Sequence, residues 1–184
     1  LGGVTWSPIG KTSVSPFAGH FDGKGHTISG LAVSEESDIY AYYGLFGCLS
    51  EATVKNLTVA GEIFCTERTA LVGGLAGAAV GNTTIENCAT NVLISAEAGA
   101  SVGGMVGICR KSDDIGYEWI DNTVRLVGCV NVGAIVQNGE DKDPFSQGRV
   151  GGLVGYSKNC VQFENCVNLG NIYGANIAAG ICGS

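Results

Sequence analysis

Tyr117 and Trp119 stand among four carboxylates, Asp113, Asp114, Glu118 and Asp121, within a stretch of nine residues. Aromatic faces stack on sugar rings, and ionised carboxylates accept hydrogens from hydroxyl groups. A second acidic run, Glu140, Asp141 and Asp143, begins 19 residues after Asp121. These nine residues are the candidate binding set, and the partner they suit is a glycan or a protein. The same side chains also suit a solvated loop whose aromatics pack over the body of the chain.

Metal and catalytic readings are weaker. Asp141-Lys142-Asp143 follows Asn138-Gly139. That run lacks the regular ligand spacing and the closing bidentate Glu of a calcium loop. His20 and His26 flank Asp22 across a glycine-rich turn, with no thiolate at zinc spacing beside them. No H-E-x-x-H motif is present. The expectation is no metal, no cofactor and no catalytic residue. Two sequons occur, Asn56-Leu57-Thr58 and Asn82-Thr83-Thr84. The first asparagine is already needed for a backbone corner.

Those corners belong to an internal repeat. Five segments share one pattern: Ile28-Ser29-Gly30-Leu31, Val54-Lys55-Asn56-Leu57, Ile85-Glu86-Asn87-Cys88, Leu126-Val127-Gly128-Cys129 and Phe163-Glu164-Asn165-Cys166. The third position is always Gly or Asn, the residues that enter the left-handed region most cheaply. A glycine box interleaves with it: Gly44-Leu45-Phe46-Gly47, Gly73-Gly74-Leu75-Ala76-Gly77, Gly103-Gly104-Met105-Val106-Gly107 and Gly151-Gly152-Leu153-Val154-Gly155. A degenerate copy spans Ala178 to Gly183. An isoleucine follows each of the last four corners by six residues, at Ile63, Ile94, Ile135 and Ile172.

Leu45, Leu75 and Met105 are 30 residues apart. Each repeat therefore holds three short apolar segments, the length of strands and not of helices. The 30 glycines among 184 residues would each cost a helix about 1 kcal/mol. Three short strands cannot bury their own apolar face, but a stack of copies can. The predicted fold is all-β, a right-handed parallel β-helix of about 30 residues per coil. It forms one domain over residues 1–184, expected to be a fragment of a longer surface protein. Coil three alone departs from the period. Met105 to Cys129 is 24 residues, against 12 or 13 in the sister coils, and Cys129 to Leu153 is again 24, against 15 to 18. The two insertions, 110–122 and 137–149, carry the candidate binding set.

The eight cysteines are expected to be free. Cys88, Cys129 and Cys166 occupy the position that Leu31 and Leu57 fill in earlier copies, so they read as small buried hydrophobes. Stacked strands hold Cβ atoms about 4.8 Å apart and parallel, whereas a disulfide needs about 3.8 Å. The formal net charge of −7 offers no basic stripe for nucleic acid and no attraction to an anionic membrane. No run is long and apolar enough to insert directly into a bilayer.

The recurring G-L-x-G and G-G-L-x-G boxes followed by I-x-N-C resemble the GLUG-motif repeats of bacterial exported proteins. The opening Trp6-Ser7-Pro8-Ile9-Gly10, and Phe17 to Ile28 after it, are similar to the coil that precedes such repeats. Similar repeats stand beside the catalytic part of IgA-specific metallopeptidases. The resemblance implies a β-helical stalk or binding surface, extracellular, joined to other domains of its parent chain. It carries over no catalytic residue. The expected role is a non-catalytic, adhesin-like segment. The alternative is a β-helix enzyme fragment acting on polysaccharide as a lyase or hydrolase. Against that alternative, the outward corner position reads Ser29, Lys55, Glu86, Val127, Glu164, with no acidic cluster.

Overall fold

The computed structural model of the protein describes residues 5–33, 42–111, 123–139, 148–173 and 177–183. Among them there is no helix. The strands fall into levels, one per repeat. The first level is β1 (His20–Val33). The next holds β2 (Tyr42–Tyr43), β3 (Phe46–Ser50) and β4 (Thr53–Cys65). The third holds β5 (Leu71–Gly73), β6 (Ala76–Val80), β7 (Thr84–Glu86) and β8 (Ala89–Glu97). The fourth holds β9 (Ser101–Gly103), β10 (Val106–Arg110), β11 (Val124–Val127), β12 (Val130–Asn131) and β13 (Ile135–Asn138). The fifth holds β14 (Val150–Gly151), β15 (Val154–Ser157), β16 (Val161–Glu164), β17 (Val167–Asn168) and β18 (Ile172–Tyr173). Beyond it lies β19 (Ala178–Ala179).

Every named strand pairs in parallel with its counterpart one level away, giving three sheets. One has the order β19-β14-β9-β5-β2, a second β15-β10-β6-β3, and the third contains the remaining strands. The register matches the repeat. Val54 faces Ile85, Ile85 faces Leu126, and Leu126 faces Phe163. Ile63, Ile94, Ile135 and Ile172 form a second column.

The corner explains how one strand run stays half-buried across a bend. In β4, Val54 is inward, Lys55 outward, and Leu57 and Val59 inward again. Strict alternation would put Leu57 outside. Asn56, at φ 54°, turns the chain by one residue and restores the inward face. Asn87 (φ 50°), Asn165 (φ 52°) and Gly128 (φ 61°) do the same in later levels.

The glycine boxes make a tighter bend. There β9 runs into Gly104-Met105 and returns as β10, and the two strands press face to face. A Cβ on Gly107 would lie 2.6 Å from both the Val72 nitrogen and the Gly77 oxygen, so only Gly permits this approach. Leu75, Met105 and Leu153 fill the bend and are fully buried. The Met105 carbonyl accepts from the N–H groups of Leu75 and Ala76, and the Leu153 carbonyl from those of Met105 and Val106, at 2.9–3.0 Å.

The first copy of the corner pattern departs from expectation. Leu31 does not stand in the column of Leu57, Cys88, Cys129 and Cys166. It pairs with Gly61, while Leu57 pairs with His26 and Val54 with Phe21. The turn Asp22-Gly23-Lys24-Gly25 is longer than an asparagine corner, with Lys24 at φ 53° and Gly25 at φ 79°. It lets Phe21 take the inward place. Gly30 does have positive φ (71°), but at a bulge between Ile28 and Leu31. The outward ladder accordingly starts with Asp22 and not Ser29.

The N-terminal segment lies over the first levels. Ile9 and Phe17 bridge to Phe46 and Leu49, and the Trp6 indole N–H donates to the Leu45 carbonyl at 3.0 Å. Phe17 and Phe21 stack around Phe46 at centroid distances of 5.2 and 5.7 Å. None of the eight cysteines is in a disulfide, and six are buried.

Candidate functional site

Asp113, Asp114, Tyr117, Glu118, Trp119, Asp121, Glu140, Asp141 and Asp143 lie outside the described residues. The roots of both insertions are described. Strand pairing narrows the insertions: Arg110 still pairs with Val80, and Gln137 and Asn138 pair with Ala96 and Glu97. The first insertion therefore leaves after β10 and re-enters at β11. The second leaves after β13 and re-enters at β14.

Two of these four roots share a corner. Because the glycine box folds β14 back onto β15, the start of one lies beside the end of the other. The Arg149 guanidinium sits 4.1 Å from the centroid of the Tyr156 ring. Tyr156 pairs with Ile108, two residues before Arg110. Ile108 joins Cys48 and Ala78 in a small apolar cluster apart from the main core, covered by Tyr42, Leu71, Val80 and Tyr156. Both residues are half-buried, and a cation over an aromatic face contributes on the order of 0.5–2 kcal/mol, rising as the pair loses water. It fixes the return of the second insertion beside the exit of the first. Basic residues thus mark the shared corner (Arg110, Lys111, Arg149), while both insertions are rich in acids.

Other chemistry-bearing residues are occupied structurally. Asp22 Oδ1 accepts from Asn56 Nδ2 and from the Lys24 backbone N–H, each at 3.0 Å. Its Oδ2 is 3.0 Å from Lys24 Nζ and 4.0 Å from Lys55 Nζ. These bonds, that from Asn56 first, hold its carboxyl well below the usual carboxylate range. Asp22 is thus a turn acceptor and a poor proton acceptor. His20 and His26 are exposed on either side of it. Among the described residues no three His, Cys, Asp or Glu side chains gather to hold a metal. The outward ladder now reads Asp22, Lys55, Glu86, Val127, Glu164, and no two carboxylates adjoin in it. A shallow pocket of about 320 Å³ lies against it, lined by Arg125, Leu126, Val127, Gln162, Phe163 and Glu164. Its Arg125–Glu164 ion pair, at 3.9 Å, is exposed and contributes little.

One polar feature went unread in the sequence. Thr90, Asn131 and Asn168 stack in a column. Thr90 Oγ1 donates to Asn131 Oδ1 at 3.0 Å, and Asn131 Nδ2 donates to Asn168 Oδ1 at 2.9 Å. Each asparagine also closes a local turn, with Gly133 or Gly170. The signal was available as Cys129-Val130-Asn131-Val132-Gly133 repeated in Cys166-Val167-Asn168-Leu169-Gly170.

No protein-family model matches the chain, and no solved structure matches it. The chain is similar to Halomucin of Haloquadratum walsbyi (strain DSM 16790 / HBSQ001), with 32% identity over 108 residues. That stretch is 58% of this chain and 1% of Halomucin, so the chain spans a very small part of its relative's length.

Proposed function

We propose that this chain is a non-catalytic segment of a cell-surface or secreted protein, a right-handed parallel β-helix of the GLUG-repeat kind that acts as a stalk carrying an interaction site. One observation carries the reading. Equivalent residues of successive repeats pair in parallel and in register in three sheets, and only the level of β9–β13 interrupts the period, twice. Function on repeat folds concentrates in such insertions. The similarity to a small section of a much longer protein supports a segment within a large chain. The ligand class is a glycan, recognised by Tyr117, Trp119 and the surrounding carboxylates.

The test is a glycan-array and calorimetric screen of this chain. Beside it goes a variant with both insertions cut to the lengths found in the level of β5–β8. Binding by the parent and loss in a variant of unchanged melting temperature is the expected result. Undiminished binding by the shortened variant, or release of oligosaccharides from any polysaccharide tested, would overturn the reading.

A further inference from the structure

Past the corners, the outward side chains of the third sheet form an apolar face on the flank of the stack. Among the described residues nine large apolar side chains stand exposed. Six of them share this face: Phe64, Leu93, Val132, Val167, Leu169 and Tyr173, at 40–67% exposure. Strand pairing sets them in columns. Thr58 stands beside Ala89, then Val130, then Val167. Phe64 stands beside Ser95, then Val136, then Tyr173. Between these lie the columns of Ala60 and Glu62, carried past β12 by the Val132, Leu169, Ile94 and Ile135 N–H bonds to the adjacent level. Four columns over four levels hold one charged residue, Glu62.

The charges stand at the rim. Lys55, Glu86 and Glu164 lie beyond the corner on one side, and Glu97 on the other. An apolar patch rimmed by polar residues marks an interaction site. The face looks sideways from the stack axis. Levels join through their strand edges, so stacking leaves it open.

We infer that this face binds the same face of a second copy, about a two-fold axis lying in the interface and parallel to the strands. That rotation keeps each column over its own counterpart and reverses the order of levels. The level of β4 then meets that of β17 and β18, and β8 meets β12 and β13. Small side chains fall opposite large ones: Ala60 meets Leu169, and Ala134 meets Leu93. Phe64 meets Tyr173 as an aromatic pair. Glu62 meets Asn171, whose amide N–H groups can donate to the carboxylate. Each contact occurs twice, as a two-fold interface requires. Interdigitated faces of this kind pack about 10 Å apart. Charge points to the same place. Two copies carry −7 each and repel, and they approach at least cost where a single carboxylate is present. Four strands about 4.8 Å apart and eight residues long offer roughly 500 Å² per copy. The total of about 1,000 Å² is the lower bound for a specific interface, so the dimer should be reversible. Its axis sets the two stacks antiparallel, the geometry in which chains carried on facing surfaces meet. The inference is independent of the proposed glycan site.

Sedimentation velocity of the full chain at rising concentration should show a reversible monomer–dimer equilibrium. Val132→Glu sets a charge near the centre of the face and should weaken the dimer by about a hundredfold or more. The melting temperature of the dilute monomer should not change, because the side chain points outward. Leu93→Glu tests the same contact if Val132→Glu alters the fold. Register is read by cross-linking with a short bismaleimide. Ala60→Cys mixed with Leu169→Cys should cross-link about tenfold faster than either variant alone, with the parent and its native thiols as background. A chain that stays monomeric overturns the inference, as does a dimer that neither charged variant weakens. Fastest cross-linking between like positions shows that the two-fold pairing is wrong. If the chain is monomeric and Val132→Glu abolishes glycan-array binding, the occupant is a glycan and the inference falls.

Discussion

The thiol of Cys129 donates to the carbonyl oxygen of Ile85 in the preceding level, at 3.3 Å. Cys88 Sγ lies 3.6 Å from the Val54 carbonyl oxygen and 3.3 Å from that of Glu86 in its own level, and Cys166 Sγ 3.2 Å from that of Leu126 and 3.3 Å from that of Glu164, so each single S–H is shared between the level before and its own. One column thus repeats both a shape and a weak hydrogen bond between levels, which Leu57 at its start cannot supply. Burial pushes the Cys88 thiol up to about 11 and the Cys129 thiol up to about 12, from an ordinary value of 9.0. The folded state therefore holds these protons to higher pH than the unfolded state does. Their contribution to stability is fully present below pH 9 and is lost as pH rises through 11 to 12. Urea midpoints should fall steadily above pH 9, and the fall should shrink in a Cys88→Val/Cys129→Val double variant.

The asparagine corners give a test at single-residue scale. Asn87 holds φ at 50° between buried Ile85 and Cys88. A β-branched residue resists this region, so Asn87→Val should lose roughly 1–2 kcal/mol. Asn87→Gly should stay within about 0.5 kcal/mol of the parent, because Gly enters the region freely. Urea denaturation at neutral pH separates the two, and equal losses would remove backbone conformation as the cause.

These corners were legible because a positive φ is a local demand that only a few residue types meet. The isoleucine column was legible for a related reason, since a constant offset from the corner preserves the inward face. Register at the first level was not. Ile28-Ser29-Gly30-Leu31 fits the corner pattern, yet the extra residues around Lys24 shift the pairing so that Phe21 takes the inward place. Pattern matching sees residue types, whereas pairing responds to the length of the preceding turn. The asparagine ladder was missed for another reason. Asn131 looks like a surface turn residue until Thr90 and Asn168 are stacked against it. Of the binding set, the sequence placed both insertions in one repeat, and the packing of Arg149 on Tyr156 adds that two of their roots share a corner.

Gly74 and Gly180 occupy one position of the glycine box at different levels, and they should respond oppositely to the same change. A Cβ on Gly74 would lie 2.6 Å from the Gly104 carbonyl oxygen, backbone that cannot swing aside. A Cβ on Gly180 would meet nothing within 4 Å. Gly74→Ala should therefore cost about 2–4 kcal/mol or prevent folding, as overpacking against fixed backbone does. Gly180→Ala should be neutral to within about 0.5 kcal/mol. Thermal melts of both variants decide the matter, and a neutral Gly74→Ala would show that the bend has room the geometry denies.

The asparagine ladder should be the most costly polar element to break, and its cost should depend on level. Asn131 is 1% exposed and takes part in four hydrogen bonds. Asn131→Val strands the Thr90 hydroxyl and the Gly133 backbone groups away from water. Buried groups left without partners cost about 1–3 kcal/mol each, though a hydroxyl can turn to recover part of it. A net loss of roughly 2–4 kcal/mol is expected. Asn168→Val removes a similar set of bonds, but at the half-buried end face water replaces them, so about 1 kcal/mol should be lost. Thr90→Val in the Asn131→Val background should recover stability, because it removes the stranded hydroxyl itself. In the parent the same Thr90→Val change should be destabilising. Urea denaturation of the four proteins in that cycle yields a coupling energy for the Thr90–Asn131 contact. Asn168→Val, measured alongside, supplies the level dependence. Equal losses at positions 131 and 168, with no coupling between 90 and 131, would mean that the side-chain ladder contributes nothing beyond the local turns.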